Sequence, residues 1–216
     1  MPSLVNLARH KRRLQGHVQQ GGLFVNVDLR SGQAFQSVWE SVTFEKSQLA
    51  MVHFVGSKWV NCQLTDTTAY GANWNAASLH EMVFTDCDME QASFLGASIR
   101  NVVFRNCRLA YASFAGATLH DVVFDGCNLH SCDLDYAAAT GVQYSKCNLW
   151  SAKTAFGCTF WNSGIDVESC NRFAALLSRI HPDPDTKAKL RAIAGEITYK
   201  AVDRLMAEES DPEPSF

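Results

Sequence analysis

The sequence predicts an all-β protein whose chain winds into a four-sided β-helix, and two regularities carry that prediction. Large apolar or alanine residues recur at every fifth position from Phe24 to Leu149 without a slip, and none of these 26 positions is charged. A second series lies two residues earlier, from Gly22 to Cys147, and is small throughout except at Met82. Residues two apart on an extended segment point to the same side, so both series are expected to face inward.

A longer repeat of 20 residues indicates how the segments close into coils. Blocks 81–100, 101–120 and 121–140 align without gaps. Four five-residue segments therefore make one square coil, in which Phe occupies one pair of opposite walls and Leu, Ile or Met the other. About seven such coils, stacked at about 4.8 Å, give a filled solenoid of roughly 34 Å. Each coil buries its face only against its neighbours, so both ends need caps.

Several five-residue blocks have a small residue, then Asp or Asn, then Leu or Phe. Examples are CDLDY at 132–136, CNLHS at 127–131 and CNLWS at 147–151, and ASFAG at 112–116 is close to them. These blocks resemble the pentapeptide-repeat family over about residues 22–160. The resemblance implies a right-handed quadrilateral β-helix, but it is only weakly specific for function, because function resides in sites rather than folds.

The repeat departs from this pattern at a few places. Alanine replaces the large central residue at 34, 69 and 139. The phase is lost after Leu149, where Cys158 and Phe160 indicate a shift of one residue. We interpret that shift as the end of the regular solenoid.

The chain divides into four parts: a basic N-terminal cap or arm (1–20), the β-helix (21–165), a C-terminal helical region (166–208) and a flexible tail (209–216). In the first part, Leu14 and Val18 fall on one face of a short amphipathic helix that Gly21 and Gly22 would end. An organelle presequence is the alternative for this basic start. No secretory signal or membrane-spanning run is present, so a cytoplasmic protein is expected.

After Cys170 the apolar spacing changes to that of a helix. The predicted α-helical hairpin begins near Asn171, breaks at HPDPD (181–185) and continues to about Met206. Its second helix carries an apolar stripe at Leu190, Ile193, Ile197 and Leu205. This stripe either covers the open rim of the solenoid or pairs with a partner or a second copy of the chain, which would give a homodimer through the C-terminal helices.

The cysteines are expected to be core residues. Six of them occupy the small inward position: Cys62, Cys87, Cys107, Cys127, Cys132 and Cys147. A buried free thiol behaves as a small hydrophobe. A straight column of sulfurs is unsuited to a tetrahedral metal site, and parallel inward Cβ vectors are unsuited to disulfides, so a metal or redox role is the minor alternative.

The chain is expected not to be an enzyme. The motifs of phosphate loops, zinc proteases, nucleophile elbows and CxxC redox sites do not occur in it. His80, Arg100 and His120 form a column on the outer surface without a nucleophile or carboxylate spaced to complete a triad. Catalytic residues, cofactor-binding residues and metal ligands are therefore all predicted to be none.

A filled solenoid offers flat walls, so binding of a protein partner is the predicted function. Val83, Val103 and Val123 should form an outward apolar stripe, although β-branched residues also favour strands for structural reasons. The outward-leaning aromatic residues Tyr111, Tyr136 and Trp150 are further candidates for contacts with a partner. These residues and the C-terminal stripe define the predicted scaffold or adaptor, and family resemblance adds a link to a bacterial secretion system.

The alternative function is mimicry of duplex DNA, because the resemblance includes quinolone-resistance proteins that bind DNA gyrase. Residues 21–160 contain 12 acidic and eight basic residues, a net charge of −4. Duplex DNA carries about one charge per 1.7 Å, or about 20 over this length. The charge deficit favours the scaffold, with no direct contact to nucleic acid or membrane.

Overall fold

A computed structural model describes residues 14–149, 152, 159–161, 164–165 and 184–185. The described chain is a parallel β-solenoid of about six turns, against the seven predicted. Its strands are β1 Val18–Val25, β2 Val38–Glu45, β3 Lys58–Val60, β4 Gln63–Thr65, β5 Ser78–His80, β6 Val83–Thr85, β7 Ser98–Arg100, β8 Val103–Arg105, β9 Thr118–His120, β10 Val123–Asp125, β11 Ala138–Thr140, β12 Gln143–Ser145, β13 Thr159–Trp161 and β14 Gly164–Ile165. Within these residues, no helix is long and apolar enough to span a membrane.

Each turn has four walls, which we number from their first five-residue segments and which recur every 20 residues. Wall 1 begins with 22–26, wall 2 with 27–31, wall 3 with 32–36 and wall 4 with 37–41. Parallel strands stack in register on walls 1 and 4. Walls 2 and 3 are joined by single bridges, such as those between Asp88 and Arg108 and between Ser93 and Ser113. The predicted four-sided coil is thus observed, and its right-handed sense stays a prediction.

The corners explain how so short a segment can turn. Every fifth residue from Gly16 to Lys146 has a positive φ, between 49° and 68°. This left-handed conformation turns the chain within one residue. It is unfavourable for most residues other than Gly and Asn or Asp. The ladder bonds between neighbouring turns hold each corner in place. One example is the bond from the Tyr111 N–H to the His130 carbonyl at 2.9 Å.

The interior is filled by columns of side chains. On wall 1, the rings of Phe84, Phe104 and Phe124 stack at centroid distances of 4.8 and 5.0 Å. On wall 3, Phe94 and Phe114 stack at 4.9 Å, and their edges meet the wall 1 rings across the core. This confirms the placement of Phe on opposite walls. Offset stacking and edge-to-face contacts are the geometries that aromatic rings prefer.

Both ends of the repeat differ from the sequence-based boundaries. Residues from Leu14 already belong to the first turn, because the Leu14 N–H donates to the Gln33 carbonyl at 2.7 Å. Val18, in β1, pairs with Val38 of β2. The expected N-terminal helix therefore does not include Leu14 or Val18. The two glycines expected to separate the cap from the repeat lie inside β1. Their positive φ angles turn a corner of the solenoid within that strand instead of ending a helix.

The last turn confirms the predicted phase shift. Ala138 pairs with Thr159 and Gln143 with Gly164, a step of 21 residues where earlier turns step by 20. The chain therefore gains one residue between Thr140 and Thr159, and the parallel ladder continues past the shift, where the sequence-based interpretation ended the regular solenoid. The predicted helical hairpin lies outside the described residues, apart from 184–185, and the structure gives it no support.

Candidate interaction walls

The three valines form the continuous column that their spacing predicted. Val103 pairs with Val83 on one side and with Val123 on the other, in the middle of wall 1. Gln63 precedes the column and Gln143 follows it, so the apolar stripe has a polar boundary at each end. All three valines are half-buried rather than fully exposed. The stripe is therefore flush with the wall, and its role in binding stays a prediction.

Tyr111 is a predicted contact residue that protrudes from the solenoid. Its side chain is 58% exposed at the corner between walls 2 and 3. The His130 ring lies edge-on to the Tyr111 ring at a centroid distance of 5.5 Å and an interplanar angle of 87°. This contact with the next turn limits the positions the ring can take. The other candidates, Trp150, Leu190, Ile193, Ile197 and Leu205, lie outside the described residues.

Among the described residues outside β1, two exposed apolar residues were missed from the sequence, Met51 and Leu95. Tyr136 was expected to lean outward and is exposed. Met51 and Tyr136 occupy corners, where their large side chains adopt the left-handed backbone conformation that usually favours glycine. Sorting the outward positions wall by wall would have found Met51 and Leu95, because both border wall 3.

The cysteine column is part of the core. The six described cysteines are free and buried. The Cys107 thiol donates to the carbonyls of Phe84 and Arg105, at 3.5 and 3.3 Å. Ser47 and Thr67 occupy the same column three and two turns earlier, respectively, and donate from their hydroxyls to the equivalent carbonyls. Thiols and hydroxyls thus serve the same structural purpose here.

Burial suppresses the reactivity of two of these thiols, Cys132 and Cys62. Burial raises the pKa of Cys132 to about 12 and, to a smaller extent, raises the pKa of Cys62. A thiol must lose its proton to act as a nucleophile or metal ligand. Among the described residues, no cluster of three or more His, Cys, Asp or Glu is suited to a metal ion.

The outer histidines lie beside acids rather than a nucleophile. His80, Arg100 and His120 stack in register on wall 4, as expected. The His120 Nδ1 lies 2.8 Å from the Asp121 carboxylate, and the His80 Nδ1 lies 3.8 Å from the carboxylate of Glu81. Each imidazole therefore lies beside the acid that follows it in the sequence. The arrangement is that of ordinary polar contacts on the surface.

The acidic residues of wall 2 are partly neutralised by neighbouring arginine. The Arg108 guanidinium lies 2.6 Å from a Glu90 oxygen and 3.9 Å from Asp88. On wall 1, Arg105 lies 3.6 Å from Asp125. These pairs interrupt the negative surface in the middle of the solenoid, where a copy of the DNA phosphate backbone would need unpaired carboxylates.

Comparison with known proteins supports the fold. A family model for pentapeptide repeat regions matches residues 52–134. No curated protein sequence matches the chain. The structure is similar to a trypsin-treated form of QnrB1, described as a plasmid-mediated fluoroquinolone resistance protein. That match has a TM-score of 0.53 at 17% identity and covers 78% of this chain and 91% of QnrB1.

A second solved structure with a detectable likeness is HetL from the cyanobacterium Nostoc sp. strain PCC 7120. It is described as a pentapeptide repeat protein involved in regulating heterocyst differentiation. It is 16% identical, with a TM-score of 0.24, and the match covers 74% of this chain and 92% of HetL. At 17% identity, the likeness to QnrB1 bears on the fold alone.

Proposed function

Because the chain is a pentapeptide-repeat protein, we propose that it is a non-enzymatic scaffold that binds a protein partner through an outer wall of its solenoid. The filled interior carries this proposal. Phe84, Phe94, Phe104 and Phe114 are fully buried and in mutual ring contact, so the core is occupied by side chains. The outer walls are then the surfaces left for recognition.

Wall 1 supplies one suitable surface. The valine column lies flat between Gln63 and Gln143, and strands on a filled core hold it rigidly in register. A rigid surface loses little conformational entropy when it binds, which favours affinity. Half-buried valines within a polar boundary also match the anatomy of interfaces, in which an apolar centre is enclosed by a polar rim.

The proposal is tested by affinity capture from the source cells with the full chain as bait. Val103→Asp places a charge at the centre of the valine column and is expected to reduce the captured partner at least about tenfold. Val60→Asp is the matched control, because Val60 is also a half-buried, outward valine on a strand, but on wall 4. Equal capture by the wild type and by folded Val103→Asp would refute binding through wall 1.

The alternative is a DNA mimic that binds DNA gyrase, as the likeness to QnrB1 suggests. The ion pairs of Arg108 and Arg105 with wall 1 and wall 2 acids weigh against it. A gyrase supercoiling assay with the purified chain separates the two functions. A scaffold leaves supercoiling and its inhibition by quinolones unchanged, whereas a mimic alters one of them at micromolar concentration.

A further inference from the structure

Wall 3 is the uncharged side of the solenoid. Its segments in five successive turns contain no Asp, Glu, Lys or Arg. Those segments are 32–36, 52–56, 72–76, 92–96 and 112–116. Over the same turns each of the other three walls carries at least three charged residues. A surface without charge avoids the desolvation cost that charged groups impose on an interface.

The protruding apolar residues lie along the same wall. Outside β1, the exposed large apolar side chains of the described residues are Met51, Leu95, Tyr111 and Tyr136. Met51 and Tyr111 lie on the edge between walls 2 and 3, which we call the Met–Tyr edge. Leu95 and Tyr136 lie at the opposite side of wall 3. Apolar residues gathered on one uncharged face are typical of an interaction surface.

The second edge of wall 3 has small residues at four successive corners. We call it the glycine edge, because Gly56, Ala76, Gly96 and Gly116 occupy its successive corners. A Cβ atom added at Gly96 or Gly116 would meet no atom within 4 Å. The packing of the solenoid therefore does not require glycine there. The positive φ angles of Gly96 and Gly116 favour glycine at these corners, and the small residues also leave this edge lower than the Met–Tyr edge.

Several polar groups between the two edges are bonded to one another. The Ser93 hydroxyl donates to the Asn75 Oδ1 at 2.5 Å, and the Leu95 N–H donates to the same oxygen at 3.1 Å. Ala115 donates its N–H to the Ser113 hydroxyl at 3.3 Å. Because these donors and acceptors already have partners, an apolar surface that covers them does not leave them without a hydrogen bond.

The corners on both sides of wall 3 are closed by hydrogen-bonded turns. The Ala92 N–H donates to the Met89 carbonyl at 3.1 Å, and the Ala97 N–H to the Phe94 carbonyl at 3.0 Å. The same pattern recurs one turn later, at Ala112 and Ala117. Wall 3 and its two edges are therefore a preorganised surface.

We propose that wall 3 binds wall 3 of a second copy of this chain, with a two-fold axis parallel to the solenoid axis. Such an axis brings the Met–Tyr edge of one copy onto the glycine edge of the other at nearly the same height. Met51 then lies against Gly56 and Tyr111 against Gly116, each offset by a quarter of a turn, or about 1.2 Å. The protruding Met–Tyr edge of each copy thus lies against the small residues of the glycine edge of the other copy, which makes the wall complementary to itself.

Charge selects this wall for self-association. In a two-fold pair a wall faces its own charges at the same height, and like charges brought together in this way are unfavourable. Wall 3 is free of this repulsion until Asp133 and Asp135 in its sixth segment. Five turns span about 24 Å, and a wall about 17 Å wide offers roughly 400 Å² per copy. That area is at the low end for specific interfaces, so a weak dimer is expected.

The test is sedimentation velocity of the full chain between about 1 µM and about 1 mM. The wild type is expected to change from monomer to dimer across this range, with little dependence on salt because the interface carries no charge. Leu95→Glu is expected to raise the dissociation constant at least about tenfold. Leu23→Glu is the matched control, since Leu23 is 53% exposed on wall 1 and Leu95 is 51% exposed on wall 3.

A cross-linking experiment tests the arrangement. A mixture of Tyr111→Cys and Ala115→Cys chains is expected to form a disulfide-linked dimer faster than either variant alone, because these positions meet only across the two-fold axis. A wild type that stays monomeric at the highest concentration would overturn the proposal. So would a dimer unaffected by Leu95→Glu, which would place the contact elsewhere, or cross-linking of the mixture no faster than of either variant alone.

Discussion

Trp74 buries its indole N–H without an acceptor because Ala72 occupies the position from which serine supplies one elsewhere in the solenoid. Trp59 donates its indole N–H to the Ser57 hydroxyl at 2.9 Å, and Trp39 donates to Ser37 at 2.7 Å. In each pair the serine lies two residues before the tryptophan. Alanine preserves the small inward position at 72 but removes the acceptor.

Ala72→Ser is therefore expected to stabilise the protein. The new hydroxyl can accept the Trp74 N–H, and a satisfied buried donor contributes about 1 kcal/mol to the free energy of unfolding. Urea unfolding followed by tryptophan fluorescence measures the change. Ala92→Ser is the control, because Phe94 has no N–H to satisfy, and it should be neutral or destabilising. Equal effects of the two substitutions would show that the missing acceptor is not the cause.

Ser57→Ala should have the opposite effect. It leaves the buried Trp59 N–H without its acceptor, at a cost of about 1–3 kcal/mol. The same unfolding measurement applies, with Ser78→Ala as a control at an exposed position on wall 4. A loss no larger for Ser57→Ala than for Ser78→Ala would contradict the role given to the hydroxyl.

Two adjacent glycines should differ sharply in their tolerance of alanine. Gly21 has φ +65° and open space at its Cβ position, whereas Gly22 has φ +130° and would bring a Cβ within 3.2 Å of the Phe24 ring. The first conformation is occupied by alanine at Ala76, with φ 54°. Gly21→Ala should cost about 1 kcal/mol and Gly22→Ala about 2–3 kcal/mol or more. Thermal unfolding of the two variants gives the comparison, and equal losses of stability would count against backbone strain and close packing at Gly22.

The Cys132 thiol should make the protein less stable at alkaline pH. Burial raises its folded pKa from 9.0 to about 12. Above about pH 9 the unfolded thiol ionises while the folded thiol stays protonated, so stability falls with each pH unit by up to about 1.4 kcal/mol until the folded pKa is reached. Urea unfolding between pH 8 and pH 11 should show this slope, reduced by about one proton in Cys132→Ala. An unchanged slope in the variant would contradict the assignment.

How far the sequence predicts this structure depends on which residues carry the repeat. The inward columns were predictable, because Phe84, Phe104 and Phe124 recur at the period of a coil and must share one core. The 21-residue step to Phe160 was also visible as a shift in phase. In contrast, Val18 could not be placed in a strand from its pattern alone, since its spacing from Leu14 also fits a helix.

The outer surface was less predictable than the core. Corner residues such as Met51 and Tyr136 adopt a left-handed backbone that their side chains do not favour, because ladder bonds on both sides fix the corner. The exposure of an outward apolar residue depends on which wall it occupies and on the neighbouring turns. A single exposed residue such as Leu95 is unremarkable in a sequence, and its meaning appears only with the uncharged wall around it.

The central claim is that an outer wall of a filled solenoid binds the partner, and hydroxyl-radical footprinting of the captured complex tests it most directly. Binding through wall 1 predicts reduced oxidation at Val83, Val103 and Val123, with residues of wall 4 such as Val60 unchanged. Protection confined to residues beyond 149, or none within the valine column, would contradict the claim.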